Sequence, residues 1–352
     1  MHGRRLRFLI RSIRGITGIA AALLCLELGL RVFSTATDAP PPRILADSLG
    51  GEIVERRQLQ EDVSTYRFSP SGARLTGNQP AGAGVNAVIL GDSYVVAAEV
   101  GDRRTMGARL ETLARRNGLP LDVRQYGWSN ATPAQYLFVA GDVSRRWNAK
   151  RIFIVVSEND MDYKTHTSAG ARLRVDSNGV RISGAPIDTT MPRAQRSVLL
   201  KLMRFRSHLI GLRVNRAGAS MRGRAVALRA AGPAEASPDS AELSALPAAV
   251  VTALAEAYGS SLTLIFIATP GLLGDSTPSP IEQRFLEACE PAGVDCVSTR
   301  QAMVERRARG RLSHGGSTFA IGHGHLNATG HEVVAELMWE RLRTATVVTW
   351  KD

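Results

Sequence analysis

Asn86-Ala87-Val88-Ile89-Leu90 is an uninterrupted apolar run of strand length, and Gly91-Asp92-Ser93 stops it at once. A strand that is apolar on both faces belongs in a parallel sheet covered on both sides by helices. A serine directly after such a strand projects from its carboxyl end, with backbone N–H groups of the following turn facing outward. Ligands of open α/β sheets bind at that end.

Outward from this stretch the same rhythm repeats. Residues 104–117 place Met106, Leu110 and Leu113 at helical spacing and stop at Asn117-Gly118. A short strand follows at Val123–Tyr126, a helix at 132–147 and a buried strand at Arg151–Val156. Leu262–Ala268 and Val294–Val297 supply two more strands, with helices predicted at 279–291, 299–309 and 328–345. Strands alternating with helices predict a three-layer α/β/α sandwich around a five-stranded parallel sheet of flavodoxin-like type.

Three further polar blocks follow the apolar runs in order. Gly127 stands in Tyr126-Gly127-Trp128, Asn159 in Ser157-Glu158-Asn159-Asp160, and His325 in His323-Gly324-His325-Leu326-Asn327 ahead of the last helix. With Ser93 they resemble the four name-giving residues of the SGNH/GDSL hydrolase superfamily, over roughly residues 85–160 and 260–345. Gln135-Tyr136-Leu137 is similar to the family as well, and Leu26-Glu27-Leu28-Gly29-Leu30-Arg31 resembles the N-terminal anchors of its bacterial members. The resemblance implies Ser93 as nucleophile and His325 as its base. It also implies an oxyanion hole from the backbone N–H groups of Ser93 and Gly127 and the side-chain amide of Asn159. The chemistry fits these residue types: a serine hydroxyl needs a base to become a nucleophile, and the tetrahedral oxyanion needs preorganised donors.

In one place the pattern departs. The family's aspartate two or three residues before the histidine is replaced here by Gly322 and His323, and no acid occurs between Glu305 and Glu332. Three explanations stay open: a backbone carbonyl that accepts from His325, a distant acid, or an impaired enzyme that only binds. Asp92 is read as fixing the Gly-Asp-Ser turn through backbone hydrogen bonds. Asp160 and His323 are kept as supporting residues. His323, His325 and nearby His314 do not make a metal set without a placed further ligand, so neither metal nor cofactor is expected.

The stretches that break the rhythm read differently. Residues 37–82 are rich in Pro, Gly and Arg and read as a linker and lead-in, with the hydrolase-like domain at 83–345. Residues 164–258 read as a large insertion, containing a hairpin around Asn178-Gly179.

The net charge is +12. Five of the arginines (Arg4, Arg5, Arg7, Arg11 and Arg14) precede the apolar segment Ile16–Leu30. That order is a positive-inside signature. It predicts a basic cytoplasmic tail and signal anchor at 1–36, with the rest exported to the periplasmic side of a bacterial membrane; a signal peptide cleaved near Ser34-Thr35-Ala36 and an amphipathic cytoplasmic helix are the two other readings. The other charges are scattered and not interleaved with aromatics, which argues against single-stranded nucleic acid as a partner. Cys289 and Cys296 read equally as a pair or as two buried thiols. The expected activity is hydrolysis of ester-linked acyl groups on a small molecule or envelope glycan. Two alternatives are an O-acyltransferase acting on exported polysaccharide and an impaired glycan-binding protein.

Overall fold

The computed structural model describes residues 17–19, 21–22, 25, 54–58, 64–69, 73–78, 85–128, 131–146, 148–161, 171–176, 179–184, 240–269, 275–315, 322 and 324–349. Nine strands and seven α-helices lie in these ranges. The strands are β1 (Val54–Gln58), β2 (Ser64–Phe68), β3 (Val85–Gly91), β4 (Leu121–Gly127), β5 (Arg151–Ser157), β6 (Ala171–Asp176), β7 (Gly179–Gly184), β8 (Leu262–Ile267) and β9 (Asp295–Ser298). The helices are α1 (Ser93–Val96), α2 (Met106–Arg116), α3 (Pro133–Arg146), α4 (Ser240–Tyr258), α5 (Pro280–Cys289), α6 (Arg300–Ala308) and α7 (Ala328–Thr349).

Five strands form one parallel sheet in the order β4-β3-β5-β8-β9. The period of two along each strand sorts its side chains between two cores. Val88, Leu90, Ile152, Ile154, Val156, Leu264 and Phe266 face one layer, where Tyr136 of α3, Val250 of α4 and Phe285 of α5 cover them. Ala87, Ile89, Phe153, Val155, Ile265 and Ile267 face the other, under Leu110 of α2, Met303 of α6 and Val334 and Met338 of α7. Burying one such side chain contributes roughly 1.5–3 kcal/mol, so the sheet is written in the sequence as the apolar runs that fill both layers. Local signals agree with it: Thr105 caps α2 by accepting from the Ala108 N–H at 3.2 Å, worth about 1 kcal/mol.

The chain passes from β3 out to β4 and then back across β3 to β5. The connections therefore diverge at the carboxyl ends of β3 and β5, which is the crevice where such sheets bind ligands. Gly91 at the end of β3 is in register with Gly127 of β4 and Val155 of β5.

Two readings of the irregular stretches need correction. Residues 37–82 are not all linker: β1 and β2 pair antiparallel, and Tyr66, Phe68 and Arg74 are fully buried. The alternation that marks β2 is only five residues long and sits among Pro, Gly and Arg, so periodicity could not show it. At the other end of the chain, α4 falls within 164–258 yet belongs to the core through Leu246, Val250, Val251 and Leu254. Its helical spacing is hidden by an alanine-rich composition and by Pro247 inside the helix. The hairpin expected around Asn178-Gly179 is present as β6 and β7, closed by the Asp176–Gly179 pair. Most of 164–239 lies outside the described residues.

Cys289 and Cys296 form a disulfide across a Cα separation of 6.1 Å, linking the end of α5 to β9. Most of the segment 1–36 lies outside the described residues, as does the bulk of Ile16–Leu30. Among the described residues no helix is long and apolar enough to cross a membrane.

Candidate active site

Ser93 follows β3 and opens the one-turn helix α1. Asp92 caps that turn, its carboxylate accepting from the Tyr94 N–H at 2.9 Å. This is the loop-fixing role read for Asp92 from the sequence. The turn is pressed onto the sheet at two glycines. A Cβ at Gly91 would stand 2.4 Å from Val95 Cγ2, and one at Gly127 would stand 2.1 Å from the Val96 nitrogen. Gly127 is thus required by the close approach of the turn that carries Ser93. From β4, the buried Gln125 amide donates to the Val95 carbonyl at 2.6 Å and accepts from the Gly107 N–H at 2.9 Å.

His325 comes from the loop before α7. A short bridge holds that loop: the Gly315 N–H donates to the His325 carbonyl at 2.8 Å, and the Asn327 N–H donates to the Ser313 carbonyl at 3.1 Å. The Asn327 side chain accepts from the Thr329 and Gly330 N–H groups and donates to the Leu312 carbonyl. One residue therefore caps α7 and anchors the histidine loop. The ring of Tyr94 meets the His325 ring edge-on at 5.4 Å between centroids.

These constraints bring together side chains 232 positions apart. His325 Nε2 lies 2.8 Å from Ser93 Oγ. On the far side of the ring, Nδ1 lies 3.2 Å from Glu99 Oε1. Glu99 is buried. It stands six residues after the serine, on the loop that follows α1, and the sequence reading did not identify it. The positions just ahead of the histidine hold no acid, and the distant acid left open there has no motif to mark it. The one available signal was an acid close behind Ser93 in an otherwise apolar run, Val95-Val96-Ala97-Ala98-Glu99-Val100. Of the three explanations left open by the sequence, a distant acid is the one whose geometry is present at Nδ1.

Asn159 lies in the single 3-10 turn Glu158–Met161 after β5, beside the end of β3 in the sheet. Asp160 in the same turn points inward. It accepts from the Ser157 N–H at 2.7 Å, the Ser157 hydroxyl at 3.2 Å and the Tyr136 hydroxyl at 3.2 Å. The Gln135-Tyr136-Leu137 block thus reaches the site through Asp160. Burial pushes Asp92 up to about 6, against the opposing pull of the Tyr94 N–H and His325. Burial, reinforced by the charge of Asp92, raises Asp160 well above the carboxylate range. His331, fully buried behind the site, is depressed to about 3 by burial and by Arg74. His323 lies outside the described residues. Among the described residues no group of three or more His, Cys, Asp or Glu side chains is arranged to hold a metal ion.

No protein-family model matches the chain. No sequence relative is found among curated proteins. Similar solved structures include the acetyl xylan esterase AlAXEase (13% identity, TM-score 0.41, 73% of this chain and 100% of that one). A lipase/acylhydrolase from Enterococcus faecalis is similar at 10% identity and TM-score 0.42, over 74% of this chain and 96% of that one. AlinE4, an SGNH-hydrolase family esterase, is similar at 14% identity and TM-score 0.34, over 75% and 97%. At such identities and overlaps the activities of those proteins do not transfer to this chain. The serine, glycine, asparagine and histidine that stand in family order in the sequence stand here at adjacent strand ends and on the loop facing them, and in both respects the chain is similar to the SGNH/GDSL hydrolase superfamily.

Proposed function

We propose that the chain is a serine ester hydrolase of the SGNH/GDSL type, with Ser93 as nucleophile, His325 as general base and acid, and Glu99 as the carboxylate of the triad. The observation that carries this reading is the continuous relay from Ser93 Oγ through the His325 ring to Glu99, at 2.8 and 3.2 Å.

The tautomer follows from the contacts. Nδ1 carries the proton and donates it to the Glu99 carboxylate, which leaves the Nε2 lone pair to accept from the serine hydroxyl. As Oγ attacks the ester carbonyl, its proton passes to Nε2 and the imidazolium is stabilised by Glu99. The oxyanion is held by the N–H groups of Ser93 and Gly127 and the Asn159 amide. Collapse of the tetrahedral intermediate breaks the ester C–O bond, and Nε2 returns the proton to the departing alcohol. Water then adds to the acyl-enzyme by the same route and releases the acid.

Envelope glycans or lipids carrying acyl esters are the proposed substrate class, on an exported and anchored domain. The arginine cluster before Ile16–Leu30 supports that placement, and so does the Cys289–Cys296 disulfide, since such bonds persist in oxidising compartments. The test is hydrolysis of p-nitrophenyl acetate by the protein and by Ser93→Ala. Loss of about 10,000-fold or more in kcat is expected; equal turnover by both would overturn the assignment. Acyl transfer to a sugar acceptor exceeding hydrolysis would convert the same acyl-enzyme reading into an O-acyltransferase.

A further inference from the structure

The loop that carries Glu99 is held from outside the sheet. The helix α1 ends at Ala97, a non-glycine residue in the left-handed region at φ 55°, where an L-residue is strained by roughly 1–2 kcal/mol. Such a backbone persists only when its surroundings determine it. Here those surroundings are residues 64–69 and 73–74. The Arg74 guanidinium donates to the Val100 carbonyl at 2.7 Å and to the Ala97 carbonyl at 3.5 Å. The Ser64 hydroxyl donates to the Ala98 carbonyl. Asp102, where the loop ends, pairs with Arg74 and accepts from the Arg67 N–H at 3.0 Å and Arg67 Nε at 2.6 Å. The carbonyls on both sides of Glu99 are therefore taken by one segment.

Arg74 is the hub of this arrangement. Its side chain is buried against the ring of Tyr66, 4.9 Å from the centroid. Its own backbone N–H is tied to the Gln125 carbonyl of β4 at 2.8 Å. A buried ion pair is a poor device for stability, since well-packed apolar residues serve as well or better. A planar, forked donor is good at fixing several acceptors at once. A carboxylate that must meet an imidazole at 3.2 Å needs that kind of fixing, because a misplacement of about 1 Å costs roughly 100-fold in rate.

We propose that Arg74 is a positioning residue for catalysis: with Ser64 and Asp102 it clamps the Ala97–Asp102 loop so that Glu99 meets Nδ1 of His325. The proposal rests on Glu99 being the acid of the triad.

The experiment compares Arg74→Lys, Ser64→Ala, Glu99→Gln and the double variant Arg74→Lys/Glu99→Gln on p-nitrophenyl acetate. Circular dichroism serves as the check on folding. Lysine keeps the charge and loses the fork. Arg74→Lys is expected to lower kcat by about 100-fold, with KM within about threefold. It should also move the acidic limb of the pH–rate profile in the same direction as Glu99→Gln. In the Glu99→Gln background it should cost little more, because coupled groups are non-additive. Ser64→Ala should lower kcat by several-fold, and it carries the test alone if Arg74→Lys does not fold. A folded Arg74→Lys with wild-type kcat, an equal loss in both backgrounds, or a fully active Ser64→Ala in the absence of folded Arg74→Lys would overturn the clamp. If Glu99→Gln is costly while Arg74→Lys is not, the clamp fails alone. If Glu99→Gln is as active as the parent, the triad reading fails and the clamp with it.

Discussion

The strand ends of β4, β3 and β5 are set mainly by apolar burial and hydrogen-bonded backbone, whereas residues 64–69 and 73–74 act on the site through charged and hydroxyl side chains. The first delivers Ser93, Gly127 and Asn159 from three adjacent strand ends. The second delivers nothing to the site itself and instead holds the loop that bears Glu99. Apolar burial is non-directional and scales with area, so it can build a sheet from many interchangeable residues. Placing one carboxylate against one imidazole nitrogen needs directional donors, and these come from residues chosen singly.

That contrast can be broken first at Glu99. Glu99→Gln should leave the fold intact and lower kcat by up to about 10,000-fold, as expected when the histidine loses the group that sets its tautomer. Steady-state kinetics on an acyl ester would show this, and near-parental kcat would mean that the polar region contributes nothing to the chemistry.

A smaller effect is expected at the junction of the two regions. Gly127→Ala drives a Cβ against the Val96 backbone and must displace the turn that carries Ser93. A drop in kcat of about 100-fold is predicted, similar to the loss of one oxyanion donor. An alanine variant with full activity would show that the turn tolerates a shift, and that the tight contact matters only for packing.

The smallest effect concerns stability and sharpens the cost of polar groups behind the sheet. Neither ring nitrogen of His331 has a hydrogen-bond partner among the described residues. Its folded value is depressed to about 3, against about 6.5 in the unfolded chain. The unfolded state therefore takes up a proton first as pH falls, and stability is lost from pH 6.5 down towards 3 at up to about 1.4 kcal/mol per unit. Asp92 acts in the opposite sense. Its folded form keeps a proton up to about 6, so stability falls as pH rises from about 3.8 to 6. His331→Met removes only the histidine contribution. Denaturant titrations should show its stability relative to the parent improving by about 2 kcal/mol between pH 7 and pH 5. An unchanged difference would mean that His331 is solvated or paired.

Apolar runs at 86–90, 151–156 and 262–268 were legible because periodicity and length are local properties, and the strands observed there begin and end within a residue or two of the expectation. The adjacency of Ser93 and His325 was legible only through the order of the motifs. β2 was not legible, since five residues with two inward aromatics are indistinguishable from coil in a Pro- and Arg-rich setting. The core role of α4 was hidden for a related reason: alanine is small enough to read as either core or surface, and Pro247 reads as a break.

By itself the amino-acid sequence determined the layered α/β architecture, the strand ends at which chemistry was to be sought, and the serine and histidine to be tested. Which acid faces His325 was decided by the tertiary structure alone. The one local mark of Glu99, an acid in an apolar run behind Ser93, does not say what it faces. It lies against Nδ1 because a left-handed turn at Ala97 and the guanidinium of Arg74, 25 residues upstream of Glu99, aim the loop there. Contacts between remote residues leave no period in the chain, and so they appear only when it is folded.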